Sequence, residues 1–264
     1  MKRSAGNWEI NRGHFEILKR LLSAEATRLR EESGCLDPPY NPEKIAELLG
    51  VAIEEKVMSG ADGFVERNQG RYVAVISPMT HPLRQRFTLA HELGHVVLMN
   101  LEQKGTCMPV KRYRRKQPTS AVHQDPVEES LCNHFASELL LPSSDVQARL
   151  QKGALRPNTI IELASDFCVS KQAAAVKIFK HRLDVQACAL WSLDTLFPMP
   201  VWWAGNKVRD RDNLDRLECL VSRRRNLTET WGTYDGRNRP VKVMVSPAGS
   251  RYSVVLILTT TRAF

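Results

Sequence analysis

One stretch constrains this chain more than any other: RQRFTLAHELGHVVLMN, from Arg84 to Asn100. Inside it, HELGH places His91 and His95 four residues apart, with Glu92 directly after the first histidine. On a helix, residues four apart stand one above the other on the same face. Two imidazole nitrogens can then meet one ion, the spacing a zinc site needs. Glu92, a quarter-turn round, is poorly placed to ligate that ion but can reach a water beside it, the role of a general base. The run VVLM after His95 is apolar, so the pattern predicts a helix buried along its other side. Such a helix positions ligands better than a loop.

A catalytic zinc takes three protein ligands and keeps one position open. A second helix is predicted over PVEESLCNHFASELLL (126–141), with Asp125 as N-cap, Pro126 in the first turn and Pro142 as its stop. It offers Glu128, Glu129 and Glu138. Glu129 and Asn133 are four apart and share a face. Glu129 can therefore ligate, while Asn133 bonds the outer nitrogen of a ligand histidine and fixes its ring. Glu128 falls off that face, and Glu138 reads as a solvated residue. Leu131, Cys132, Phe135, Leu139 and Leu140 read as the packed side. His134, His123 and Tyr113 are candidate oxyanion donors, with His134 first because it stands on the ligand helix.

Around these helices the chain reads as a mixture of helices and short strands. Phe15, Ile17, Leu18, Leu21, Leu22 and Leu29 mark a helix over 14–33, and NPEKIAELLG begins another at Asn41-Pro42. VAIEEKVM (51–58) and RYVAVIS (71–77) read as strands, with RNQG as a hairpin turn before the second. DVQARLQKG predicts a short helix. LASDFCVSKQAAAVKIFKHRL has a helix–turn–helix form, with Ser170 as N-cap of its second helix. Lys171, Gln172 and Lys177 are its candidate DNA contacts. The plainer reading has Leu163, Ala164, Phe167, Ala174, Ile178 and Leu183 packing the pair onto the part that carries HELGH. After Val185 tryptophans cluster and strands are expected at QACALWSL, MPVWWAG, PVKVMVS and YSVVLILTTT, with one helix, DNLDRLECLVSRR.

Composition narrows the class. With 264 residues, 42% hydrophobic and 25% charged, the chain suits one large or two small globular domains. No run is long and apolar enough for a membrane helix. The basic start lacks an apolar stretch behind it, so the expected location is the cytoplasm. Cys35, Cys107, Cys132, Cys168, Cys188 and Cys219 show no CxxC spacing, which argues for reduced thiols rather than a disulfide framework. The net charge of +9 is concentrated in SRRRN (222–226) and in KRYRRK, where Lys111, Arg112, Arg114, Arg115 and Lys116 form a basic loop. Such runs bind phosphate backbones or acidic partners, or simply form a solvated face.

RQRFTLAHELGH, a gap, then E-x-x-x-N-x-F-A-x-E-L-L-L-P resembles the ImmA/IrrE family of bacterial metallopeptidases, and ESLCN is most similar to its radiation- and stress-response branch. The likeness runs from about Pro42 to Leu183 and implies a zincin-like peptidase fold. It implies His91, His95 and Glu129 as metal ligands and Glu92 as base, the four residues the spacing singles out. Histidine and carboxylate ligands suit both zinc and manganese, and two histidines favour zinc. The implied substrate is an XRE-type helix-turn-helix repressor, cut during a stress or mobile-element response. The interval between His95 and Glu129 is long and carries KRYRRK, a departure that bears on how a cleft there is covered.

The expected architecture is therefore α+β. A zincin-like metallopeptidase domain spans 1–142, a helix-turn-helix-like region 143–186, and a small α+β module, GAF-like or regulatory, 187–264. Two other functions fit the residues. One is a DNA-binding regulator with a structural or vestigial metal site, favoured by the basic charge and disfavoured by Glu92, which a structural site does not need. The other is a toxin–antitoxin or phage-associated protein acting with a neighbouring gene product.

Overall fold

The computed structural model describes residues 12–107, 125–193, 199–205, 211–231 and 240–259. It is α+β and divides into two compact units, Met1–Leu140 and Leu141–Phe264.

The first unit is built on three long helices. Helix α1 (Arg12–Glu32) buries Leu18, Leu22, Ala26 and Leu29, which recur at helical spacing along one stripe. Ile17, expected on that stripe, is 58% exposed: it lies one residue outside the arc the neighbouring helices cover. Helix α2 (Pro42–Leu48) is capped as its sequence suggests, Asn41 accepting from the amides of Glu43 and Lys44. Three strands follow, β1 (Val51–Glu55), β2 (Gly63–Asn68) and β3 (Arg71–Ile76), in the order β1-β3-β2. β1 runs parallel and β2 antiparallel to β3. The β2–β3 hairpin turns at Gln69-Gly70, both with positive φ, as RNQG predicts. Helix α3 (Pro82–Gln103) carries HELGH and rests on this sheet. At Gly63 a Cβ would stand 2.5 Å from Thr88 Cγ2, so β2 meets α3 at a point only glycine allows.

Helix α4 (Pro126–Leu140) packs against both α1 and α3. Asp125 caps it, its Oδ1 accepting from the Val127 amide at 2.8 Å. Glu138, expected in solvent, is buried. Arg30, also buried, donates from Nη1 to the Glu138 carbonyl at 2.6 Å and lies over the Tyr40 ring. The last turn of α4 is thus tied to α1 through a buried cation.

The second unit contains α5 (Ser143–Gln151), α6 (Pro157–Asp166), α7 (Lys171–His181) and α8 (Arg211–Ser222), with strands β4 (Val185–Ser192), β5 (Met199–Gly205), β6 (Leu227–Trp231), β7 (Val241–Pro247) and β8 (Tyr252–Thr259). The strands form one antiparallel sheet ordered β5-β4-β8-β7-β6. Residues along β4 and β8 are buried on both faces, as a sheet covered on both sides requires. Beneath α8, Leu217, Leu220 and Val221 meet Ala187, Ala189, Trp191, Val243, Val255 and Ile257. Helices α6 and α7 pack against strands of the same sheet. This helix pair therefore shares its compact unit with the C-terminal strands. Ser170 caps α7, accepting from the Ala173 amide at 3.1 Å. Leu183, expected to pack, is 97% exposed, since α7 has already ended at His181. Strand β6 was not expected: five alternating residues after an arginine run are too short to stand out. None of the six cysteines is joined in a disulfide. Among the described residues no helix is long and apolar enough to cross a membrane.

Candidate metal centre

Helix α3 delivers both histidines on one face, with ring centroids 5.0 Å apart and planes at 73°. Its opposite side is held by buried Leu89, Leu93, Val96 and Val97. Phe87, one turn earlier, lies beside the His91 ring with centroids 6.3 Å apart. Gly94 lets α4 approach: a Cβ there would be 3.1 Å from Cys132 Cα. That close crossing carries the first turn of α4 over both histidines.

Glu129 stands where the two rings converge. Its Oε2 is 3.2 Å from His91 Nε2, and its Oε1 is 3.6 Å from His95 Nε2. The outer nitrogens are held as well. His91 Nδ1 lies 3.1 Å from Asn133 Oδ1, and His95 Nδ1 lies 2.8 Å from Glu128 Oε1. A carboxylate only accepts, so His95 Nδ1 carries the proton that it donates to Glu128. In the neutral ring, Nε2 is then a bare acceptor, and it faces the acceptor oxygens of Glu129. Such a cluster is relieved by a positive charge among its members, a proton on the ring or a bound cation. Three carboxylates, Glu92, Glu128 and Glu129, surround His95. Burial draws its pKa down, but the bond to Glu128 and the charges of Glu92, Glu128 and Glu129 outweigh burial and hold it above the ordinary value. Two imidazoles, neutral when they ligate, and clustered carboxylates form a donor set that suits a divalent ion.

Glu92 is buried, and one of its oxygens belongs to a group with His91 and His95 whose donor atoms all lie within 4.8 Å of one another. It competes geometrically with Glu129 for the place of third ligand. Glu129 is favoured because its two oxygens lie against the two Nε2 atoms, whereas Glu92 shares the α3 backbone with both histidines and reaches the group from the side.

The structure brings His91, Glu92, His95, Glu129 and Asn133 together. It does not bring His134. Its Nε2 is 2.9 Å from Ser23 Oγ and 3.1 Å from the Lys19 carbonyl, so that nitrogen belongs to the α1–α4 contact. His134 follows Asn133 directly, and that step of the helix turns it from α3 to α1. His123, Tyr113 and the basic loop Lys111, Arg112, Arg114, Arg115 and Lys116 lie outside the described residues. Glu128 is the residue that sequence reasoning set aside. Helical spacing places it off the Glu129–Asn133 face, but its side chain reaches His95 because α4 begins directly over α3. In the second unit, Gln172 is exposed and Lys171 half-buried, but Lys177 is 3% exposed and cannot face DNA. It falls on the side of α7 that carries Ala174 and Ile178 into the core.

The chain is 26% identical to the radiation response metalloprotease IrrE of Deinococcus radiodurans over 168 residues, which are 61% of this chain and 42% of that protein. The match thus spans less than half the length of that relative. A solved Mycobacterium tuberculosis transcriptional regulator shares the fold, with a TM-score of 0.52 at 15% identity over 94% of this chain and 92% of that one. The Peptidase_M78 family model, described as the IrrE N-terminal-like domain, matches residues 46–179, about half of the chain and all of the metal centre. The chain belongs to the IrrE N-terminal-like peptidase family.

Proposed function

We propose that this chain is a metal-dependent endopeptidase. His91, His95 and Glu129 hold the ion, zinc rather than manganese on the strength of two imidazole donors. The observation that carries the reading is the convergence of the two histidine Nε2 atoms on the Glu129 carboxylate, three groups whose donor atoms together suit a divalent cation. A divalent ion held there supplies Lewis acidity to a peptide carbonyl and to water.

The side chains supply the rest. Glu92, buried beside the histidines, takes a proton from the attacking water and returns it to the leaving nitrogen as the C–N bond breaks. Asn133 and Glu128 hold the two rings in the tautomer that turns each Nε2 inward. The substrate is an XRE-type helix-turn-helix repressor in the cytoplasm, cleaved in a stress or mobile-element response. The test is co-expression with the repressor encoded nearest to this chain, read by intact mass beside a Glu92→Gln control. Two fragments with the wild type and an intact repressor with the control are expected.

A second reading is a DNA-binding transcriptional regulator. The shared fold of the mycobacterial regulator and the net charge of +9 favour it. Burial of Lys177 weighs against it, as does Glu92. Under this reading, DNA affinity falls steeply with salt and is insensitive to Glu92→Gln.

A further inference from the structure

Arg84, Phe87, His91 and His95 follow one another on α3 at intervals of three, four and four residues, so one face of the helix carries all of them. The buried leucines and valines of α3 lie opposite. On the shared face Arg84 is exposed, and Phe87 and both histidines are partly exposed. The Phe87 ring stands 6.3 Å from the His91 ring, centroid to centroid, at 40°. The Arg84 guanidinium lies over the Phe87 ring, 5.8 Å from its centroid. Arg84 is itself held: its Nε donates to Asp62 Oδ2 over 2.7 Å, and its Nη2 lies 2.7 Å from the same oxygen. Asp62 is fixed in turn, its carbonyl accepting from the amide of buried Ser77 at 2.8 Å. It directly precedes Gly63, where β2 meets α3 at Thr88, and this close approach brings its carboxylate to Arg84. A partly exposed aromatic ring thus stands beside a metal-centre histidine, flanked by a guanidinium that is anchored to the sheet.

We propose that Phe87, braced by Arg84 and Asp62, is a specificity-determining platform that selects substrates with an aromatic side chain beside the bond that is cut. The inference rests on the reading of His91, His95 and Glu129 as the metal centre of a peptidase. The charges on the page set the class of side chain. The Phe87 ring already carries a cation over its face, so a lysine or arginine side chain meets repulsion from Arg84 there. Arg84 is already paired with Asp62, so an acidic side chain gains little from it. A neutral aromatic ring gains in two ways: it covers apolar area, and it meets Phe87 edge-to-face or offset, the arrangements that two rings favour. The separation suits a residue next to the cut bond, because a ring 6.3 Å from a ligand imidazole is within one side chain's reach of a carbonyl held at the metal centre.

The probes are two hydroxamic acids that share one metal-binding head: propionohydroxamic acid and its phenyl-bearing analogue, hydrocinnamohydroxamic acid. Their affinities for the zinc-loaded full chain are measured by isothermal titration calorimetry, with zinc content checked by native mass spectrometry. The smaller compound reports the head group, and the ratio of the two affinities reports the platform. The phenyl compound is expected to bind the wild type about tenfold more tightly. Phe87→Ala should bring the two affinities within about twofold of each other, with that of the smaller compound kept. Phe87→Leu, which keeps apolar bulk but not the ring, should retain part of the preference. The inference is overturned if the wild type binds both compounds equally, or if Phe87→Ala leaves the preference unchanged. Should neither compound bind in a zinc-dependent way, the metal-centre reading itself falls, and this inference with it.

Discussion

His95 donates from Nδ1 to Oε1 of Glu128 over 2.8 Å, and this bond fixes which ring nitrogen faces Glu129. A carboxylate in this place both orients an imidazole and raises its basicity as a ligand. Glu128→Ala is expected to weaken zinc affinity by about 10–100-fold with helix content unchanged. Glu128→Gln, which keeps an acceptor oxygen but loses the charge, should fall between that variant and the wild type. Competition against a chromophoric chelator, with circular dichroism as the control, measures both.

Gly94 is a point of close contact between α3 and α4. Its missing Cβ would be 3.1 Å from Cys132 Cα and 3.3 Å from Cys132 Cβ and O, so backbone must yield rather than a side-chain tip. Gly94→Ala should therefore cost about 1–3 kcal/mol, as overpacking does. It should also reduce zinc affinity, since α4 carries Glu128, Glu129 and Asn133 away from the histidines. Denaturant unfolding and chelator competition on the same variant check the two effects.

Arg30 closes the last turn of α4 through the Glu138 carbonyl, and its Nη2 also donates to Thr27 Oγ1. Removing a buried, charged donor leaves acceptors without a partner. Arg30→Ala is expected to destabilise by roughly 2–4 kcal/mol. Arg30→Lys should recover only part of this, because a single ammonium cannot serve both acceptors in the same planar geometry. Chemical denaturation of the two variants gives the comparison.

Burial pushes the Cys188 thiol up to about 12 from its ordinary 9.0. The sign follows from linkage: the folded state disfavours the thiolate, so the contribution to stability is complete below pH 9.0 and is lost as pH rises from there towards 12. Cys188→Ala should remove that part of the alkaline decline, measured as the difference between wild-type and variant unfolding curves. At pH 8 the exposed Cys219 should react with a disulfide reagent while Cys188 stays inert.

Much of the candidate site is legible in the sequence because it rests on helical spacing. His91 and His95 on α3, and Glu129 and Asn133 on α4, recur at the four-residue interval that a helix turns to one face, with Glu92 a quarter-turn from the first pair, and Asp125 and Ser170 cap through their own side chains. What escaped depended on a second element. Glu128 gains its role from how closely α4 crosses α3, which Gly94 permits but does not announce. His134, Ile17 and Glu138 were misread because one step around a helix decides which neighbour a side chain meets. Lys177 was read as a basic contact although Ala174 and Ile178 mark its side of α7 as the buried one. Strand β6 is held in place by pairing with β7 rather than by its own pattern.

The most direct test of the central claim is the zinc content of purified wild-type, Glu129→Ala and Glu92→Gln proteins by native mass spectrometry. One equivalent in the wild type and in Glu92→Gln, with the ion lost from Glu129→Ala, is the expected result. Retention of zinc in Glu129→Ala together with its loss from Glu92→Gln would contradict the account and make Glu92 a ligand instead of the base.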